Sequence, residues 1–266
     1  MENLSIVVSS FDAYEDLWNP FFTLLKQYWP ECEKLPIYLG TDTKKYHHEG
    51  LNILTPLSDI PEDYSSWSKC LIEILKRVET DFVLFFLDDF FLWKEVDNGR
   101  IERILGYMKH NPKMGFVCLK QDVTDESGPA WHQNALECEY PELHYRKKGF
   151  PYRISTQASL WRKDYLLKLL RAHETAWQFE VRANIRANFY KEKMYGVKES
   201  IFSYPGGGFV WKGKVLNEYK DSFPEKLVGC IKQKRGYITK EEWNLPKKRS
   251  YGFSDIKKLF LSFVPK

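Results

Sequence analysis

The chain has 266 residues with 40 Lys+Arg against 36 Asp+Glu, a formal charge of +4, 43% hydrophobic and 16% aromatic residues; this excludes disordered and fibrous classes and leaves a globular protein able to bury a substantial core. So small a charge excess does not suit binding by counterion release, so no nucleic-acid partner is expected. No stretch approaches the roughly 20 apolar residues that span a bilayer, and the opening MENLSIVVSSFD lacks a basic region followed by a long apolar run, so a cytoplasmic location is expected.

Apolar β-rich runs at Leu4 to Ser9, Leu35 to Leu39, Leu51 to Leu54, Phe82 to Leu87 and Met114 to Leu119 alternate with helical segments, a βαβ rhythm. Glu15 to Trp29 spaces Leu17, Trp18, Phe21, Phe22, Leu24, Leu25 and Tyr28 as a helix that Pro30 stops, and Ser66 to Val78 shows the same spacing. A further helix is predicted from about Asn98 to His110. Asp122 to Gly149 is polar, with Gly128, Pro129 and Pro141, and reads as irregular surface structure carrying Trp131, His132, His144 and Tyr145; long loops of this kind often hold ligands. Helices follow at Arg162 to Ala172 and around Trp177 to Lys191. Gly206-Gly207-Gly208 lacks the Lys-Ser/Thr ending of a phosphate loop and reads as a flexible turn before Phe209 to Lys214. From about Asn217 the chain is basic and ends in an apolar stretch, Leu259 to Val264, which either docks on the domain or touches a surface.

The cysteines, Cys32, Cys70, Cys118, Cys138 and Cys230, are scattered and odd in number, suggesting neither a disulfide framework nor a zinc site. His47-His48 lies in a polar loop, and no histidine has metal-ligand or triad spacing, so a hydrolase triad is not expected.

The strongest chemical signal is Asp88-Asp89, which closes the continuously apolar FVLFFL. Such a run suits a strand covered on both faces, and ligands of open α/β sheets bind beyond the carboxyl ends of strands. Two adjacent carboxylates repel each other unless a cation or donors lie between them, and Mg²⁺ or Mn²⁺ accepts one or two carboxylates together with phosphate oxygens and water. A divalent metal is therefore the expected cofactor, held by Asp88 and Asp89 at the mouth of a cleft. Neighbouring side chains of a regular strand face opposite ways, so both reach one ion only if the backbone turns there. A second signal is Glu180: on a helix it shares a face with Trp177 and Asn184, an acid beside an aromatic side chain. Arg182 and Arg186, spaced i, i+4, and Lys212 and Lys214 after the glycines suit phosphate oxygens.

On VVSSFDAYEDLW, SSWSKCLIEILKRVETDFVLFFLDDFFL and WQFE, the chain resembles bacterial glycosyltransferases of the GT-A type, the kind found in capsule and O-antigen polysaccharide clusters, over most of residues 3 to 215. The resemblance implies an α/β fold, a GT-A-like Rossmann-type mixed sheet flanked by helices, with a C-terminal helical and basic appendage. Its domain would span residues 1–216, a nucleotide-sugar-binding half at 1–121 and an acceptor half at 122–216, with the basic extension at 217–266. The acidic motif of that family is commonly Asp-x-Asp, whereas here the aspartates are adjacent and Phe90 follows. By the resemblance Asp89 faces the metal and Asp88 the nucleotide ribose or a metal-bound water, or the reverse. Ser9 to Tyr14 lies against the base, with Asp12 or Tyr14 in polar or stacking contact. Trp67 and Ser68 begin a helix that approaches the nucleotide, although Trp67 also suits the core. Glu180 is the catalytic base, with Glu174 as substitute.

The implied reaction moves a sugar from a nucleotide-diphosphate donor, a UDP-sugar above all, to a hydroxyl of a glycan or polyprenyl-linked glycan, with inversion if Glu180 lies opposite the leaving group. Arg182, Lys212 and Lys214 would meet the donor, Trp131 and Trp177 the acceptor, and the basic C-terminal segment the inner face of the membrane. A sugar-nucleotide-binding protein without activity and a nucleotidyltransferase releasing pyrophosphate are the alternatives.

Overall fold

The apolar runs form the inner strands of one mixed sheet in the computed structural model, which describes residues 1–60, 66–121, 135–149, 152–239 and 241–242. In chain order the strands are Leu4–Ser9 (β1), Pro36–Leu39 (β2), Asn52–Leu54 (β3), Phe82–Leu87 (β4), Met114–Cys118 (β5), Ala135–Leu136 (β6), Leu143–Arg146 (β7), Ser159–Arg162 (β8) and Lys193–Val197 (β9), arranged β3-β2-β1-β4-β8-β5-β9-β7-β6. The strands β3, β2, β1 and β4 are mutually parallel. Antiparallel β8 lies between β4 and β5, β9 is parallel to β5, and β7 and β6 complete the edge antiparallel. This is the mixed α/β sheet expected.

Six helices accompany it among the described residues: Glu15–Tyr28 (α1), Trp67–Arg77 (α2), Asn98–His110 (α3), Lys163–Leu169 (α4), Ala176–Arg186 (α5) and Glu225–Arg235 (α6). The alternation of strand side chains sorts the core into two layers. Ile6 and Val8 of β1 and Phe82, Leu84 and Phe86 of β4 pack with α1 and α3. Val7, Val83 and Phe85 pack with α2, α4 and α5 on the other face. Both faces of β1 and β4 are therefore covered, which is why these strands read as unbroken apolar runs.

The segment from Asp122 to Gly149, expected to be irregular, contains β7 in its described part. Its polarity concealed it: Arg146 is buried because its guanidinium lies 5.7 Å over the Phe116 ring and donates to the Arg153 carbonyl at 3.1 Å. His144 is accommodated by Gly196 on β9, where a Cβ would lie 2.7 Å from its Nε2. Strand β9, KMYGV, is too short and mixed to announce itself. Beyond residue 216 the chain continues the fold: α6 packs on α1, and Tyr237–Ile238 (β12) pairs in parallel with Lys214–Leu216 (β11), which is itself antiparallel to Val210–Trp211 (β10). Among the described residues no helix is long and apolar enough to cross a membrane. The cysteines are free, with Cys32, Cys70 and Cys118 buried.

Candidate functional site

Strands β1 and β4 run in register from Leu4 opposite Phe82 to Ser9 opposite Leu87, so they end at one level and the residues that follow meet. The Ser10 hydroxyl donates to Asp88 Oδ2, and Trp18 Nε1 donates to Ser10 Oγ at 2.7 Å. The backbone leaves strand geometry at Asp88, and Phe90 N donates to the Leu87 carbonyl at 3.3 Å. The backbone thus turns at the two aspartates, where a continued strand would send their side chains to opposite faces. The Asp89 carboxylate rests against Gly208 and accepts from the Val210 amide, while its carbonyl accepts from Phe209 N at 2.8 Å.

Each aspartate is only 7% exposed. Asp89 therefore lies against the strap formed by Gly208 to Val210 and Asp88 against Ser10, so the pair is covered rather than open at a cleft mouth as expected. Burial pushes Asp88 up to about 7 and Asp89 well above the usual carboxylate range, where the Asp88 charge raises it further. Arg235 moderates both through space, and no described cationic side chain forms an ion pair with either. Two adjacent hard-oxygen donors, buried and without an ion-pair partner among the described residues, fit Mg²⁺ or Mn²⁺, with remaining positions left to phosphate and water. Among the described residues no group of three or more His, Cys, Asp or Glu side chains is placed so that it could hold a metal ion, so the protein would supply at most this pair.

Gly208 has φ +96, and a Cβ there would stand 2.0 Å from Asp89 Oδ2. The Gly208→Ala variant is expected to lose about 1–3 kcal/mol of stability from the strained backbone and the displaced carboxylate. Chemical denaturation measures this; a midpoint equal to that of the parent protein would show that the strap does not press on Asp89.

The loop after β1 is held by two clasps. The Asp12 carboxylate accepts from the backbone amides of Asp42 (2.8 Å), Thr43 (3.0 Å) and Lys44 (3.2 Å) and from the Thr43 hydroxyl (2.8 Å), so it braces two loops instead of capping α1. Arg235, the last residue of α6, lies 4.4 Å over the Tyr14 ring and grips Asp16 through Nε and Nη2, each at 2.7 Å. Burial raises the pKa of the half-buried Tyr14 against the opposing charge of Arg235, and the fields of Asp88 and Asp89 add to the rise. Arg235 escaped sequence analysis because a KQKR run at a helix end reads as solvated charge. Ser9 is buried at the end of β1.

Across the sheet the approach to β8 brings in the second carboxylate. Ser159 pairs with Phe85 and with Cys118, and Leu119 N donates to Ala158 O at 2.8 Å, so Thr156 and Gln157 reach the level where β4 and β5 finish. Thr156 N and Oγ1 donate to Glu180 Oε1 at 2.7 and 2.9 Å. Burial nevertheless raises the Glu180 pKa, against both hydrogen bonds. Gln157 Oε1 accepts from the Tyr204 hydroxyl at 2.9 Å, and the Tyr204 ring stacks on Phe90, next to Asp89, at 4.3 Å. Lys120 follows β5; its Nζ donates to Tyr204 O at 2.6 Å, lies 4.1 Å over that ring, and is pushed by burial down to about 8. This lysine was also missed, since VCLKQD gives no periodic signal.

Several expected residues lie elsewhere. Ser68 is fully buried and donates to the carbonyls of Arg171 (2.5 Å) and Glu174 (2.6 Å), tying α2 to the loop before α5. Trp67 is buried against Phe85 and Phe179. Neither is directed to a nucleotide, because the sheet face that α2 covers is closed by α4 and α5. The anionic group met by Arg182 and Arg186 is Glu174: Arg186 contacts it at 2.8 and 2.6 Å and Arg182 at 3.8 Å. Glu174, the substitute base, is thereby a buried ion-pair partner, completely shielded from solvent. Glu174→Ala would leave two guanidinium groups without it and is expected to cost about 3–5 kcal/mol; thermal and urea unfolding test this, and a loss under about 1 kcal/mol would contradict it.

Lys212 and Lys214 are exposed at the turn between β10 and β11, where Lys212 has φ 50 and its Nζ lies 5.9 Å over the Trp211 ring. Trp211, not singled out from sequence, faces Trp177 of α5 at 5.7 Å between centroids. Glu180 is one helical turn from Trp177, so the acid and an aromatic pair share one end of α5. Trp131 and the C-terminal basic and apolar stretches lie outside the described residues.

No protein-family model and no curated protein matches the sequence. Solved structures of similar shape include S. aureus TarS 1-349, at 13% identity and TM-score 0.49 over 75% of this chain and 59% of that one, which has also been solved with UDP and with UDP-GlcNAc. Others are the bifunctional IspDF from Campylobacter jejuni (13% identity, TM-score 0.36, covering 63% of this chain and 43% of that one) and a CMP:2-keto-3-deoxy-manno-octonic acid synthetase complexed with CTP (12%, 0.41, 76% and 91%). The chain thus spans under two thirds of TarS 1-349. Likenesses this distant assign no reaction.

Proposed function

We propose that the protein transfers a sugar from a nucleotide-diphosphate donor, with UDP-sugars the leading class, to a hydroxyl of a glycan or lipid-linked glycan. The supporting observation is the buried pair Asp88-Asp89, without an ion-pair partner among the described residues, beyond the ends of β1 and β4, with Glu180 fixed by Thr156 at the approach to the adjoining β8. Asp88 and Asp89 would hold Mg²⁺ or Mn²⁺. Such an ion supplies charge stabilisation for a departing diphosphate. Ser10, backed by Trp18, orients Asp88, and the Val210 amide orients Asp89. Lys120, a desolvated cation beside Tyr204, replaces Arg182 as the side chain suited to the developing negative charge, because Arg182 is engaged by Glu174.

Glu180 takes the proton of the attacking hydroxyl. Its raised pKa makes it a stronger base than a solvated carboxylate, and Thr156 fixes one oxygen while leaving the other for the acceptor. Trp177 and Trp211 offer flat faces to a sugar ring one turn away. Donor access requires the Gly206 to Val210 strap to lift from Asp89, and consecutive glycines lower the conformational cost of that movement.

The test is incubation with a panel of nucleotide sugars, with and without Mn²⁺, reading nucleoside diphosphate release and donor binding. Binding with release of nucleoside diphosphate on addition of a glycan acceptor supports the assignment. Failure to bind every donor overturns it, and pyrophosphate release from a nucleoside triphosphate and a sugar phosphate would replace it with nucleotidyl transfer.

A further inference from the structure

The outer face of α5 is apolar and exposed. Trp177, Val181 and Ile185, spaced i, i+4, i+8, are 53%, 54% and 41% exposed, and Phe189 in the turn that follows is 82% exposed. Tyr152, 48% exposed, belongs to the same end, because Arg153 donates to Asn188 Oδ1 at 3.2 Å and Gly149 N to the same atom at 3.1 Å. Five of the eight large apolar or aromatic side chains exposed among the described residues thus gather along this one helix and its end. Isolated exposed apolar residues are ordinary, whereas a contiguous stripe marks a contact surface.

Among the described residues the charges at the two ends of the stripe are mainly cationic; the carboxylate beside Lys191, Glu192, is paired to Lys168. At its far end Lys148 donates to the carbonyls of Asn188 (3.3 Å) and Tyr190 (2.7 Å), with Lys147 and Lys191 exposed beside it. At the near end Lys212 lies over Trp211, which faces Trp177. The single carboxylate of α5, Glu180, is turned to Thr156. A second copy of the chain would bring the same lysines against themselves. Residues 243–266 would do likewise, carrying Lys247, Lys248, Arg249, Lys257, Lys258 and Lys266 against Asp255 alone. An apolar stripe bracketed by cations complements a surface that is greasy within and negative at its face.

We infer that the outer face of α5 seats the protein on an anionic lipid bilayer, with Val181, Ile185 and Phe189 entering the headgroup boundary and Lys148, Lys191 and Lys212 meeting lipid phosphates. Trp177 lies at the end of this face nearest Glu180, so a membrane-borne acceptor would arrive beside the proposed base. That consequence rests on the transferase reading, but the docking itself does not.

The full chain is sedimented with vesicles of phosphatidylcholine alone and of phosphatidylcholine with phosphatidylglycerol, in the absence of any nucleotide sugar. The expected result is binding to the anionic vesicles, weakened by salt, and a loss of about tenfold or more in partitioning for the Val181→Asp, Ile185→Asp double variant at unchanged unfolding temperature. Phe189→Ser, outside the helix, gives a second variant that leaves α5 intact and is expected to lose binding in the same direction. Absence of binding to anionic vesicles by the parent chain overturns the inference, as does undiminished binding by both variants, or a dimer in light scattering that the double variant dissociates.

Discussion

Asp89→Asn is expected to abolish metal-supported donor binding, lowering affinity in the presence of Mn²⁺ by about a hundredfold or more while leaving the apo fold at least as stable. The two effects have one origin. Asp89 is buried against Gly208, and its charged form is disfavoured both by lost hydration and by the neighbouring Asp88. An amide of the same shape still accepts from Val210 and is less costly to bury than a carboxylate. What it lacks is the charge that would hold a divalent ion and, through it, a diphosphate. Calorimetric titration with a UDP-sugar, with and without Mn²⁺, gives the affinity, and thermal unfolding gives the stability. If Asp89→Asn bound the donor as tightly as the parent protein, the acidic pair would have no part in donor recognition. A large loss of stability alongside lost binding would point to a packing role instead.

Glu180→Gln is expected to reduce transfer by about 10²–10⁴-fold with donor affinity unchanged. The carboxylate's hydrogen bonds are to Thr156 and not to Asp88 or Asp89, so its replacement by an amide leaves the proposed donor ligands in place. A pH profile separates this role from a structural one. Burial raises the Glu180 pKa, so the base form is lost as the pH falls through a value above the roughly 4.3 of a solvated glutamate. Transfer should therefore decline on the acid side earlier than an exposed glutamate would allow. The Thr156 hydroxyl lowers that pKa, so Thr156→Val should move the acid limb to higher pH still, while a shift to lower pH would contradict the assignment. Unchanged transfer by Glu180→Gln would remove it altogether.

The parts of this protein legible in sequence are those that a single local period announces. The runs LSIVVS and FVLFFL, buried on both faces, and the helices α1, α2 and α3 fall within a residue or two of their observed bounds, because hydrophobic spacing alone dictates which face is covered. The abrupt change from FVLFFL to Asp88-Asp89 likewise marked the carboxyl end of an inner strand. Strands β7 and β9 were invisible, since His144 and Arg146 become buried only when Gly196 and Phe116 stand beside them.

Sequence by itself determined the parallel inner sheet, the position of the paired acids beyond it and the helix that carries Glu180, since each depends on contacts or periods within a few residues. Tertiary structure alone decided which charges are spent internally and which remain for chemistry. Arg182 and Arg186 are drawn to Glu174, Asp12 to the amides of residues 42–44, and Ser68 to two carbonyls, whereas Lys120 and Arg235 are carried to the end of the sheet from positions that give no local sign. The reason is physical: a charged side chain's role is set by its nearest partner in space and by how much water it has lost, and neither quantity is written in the spacing of neighbours along the chain.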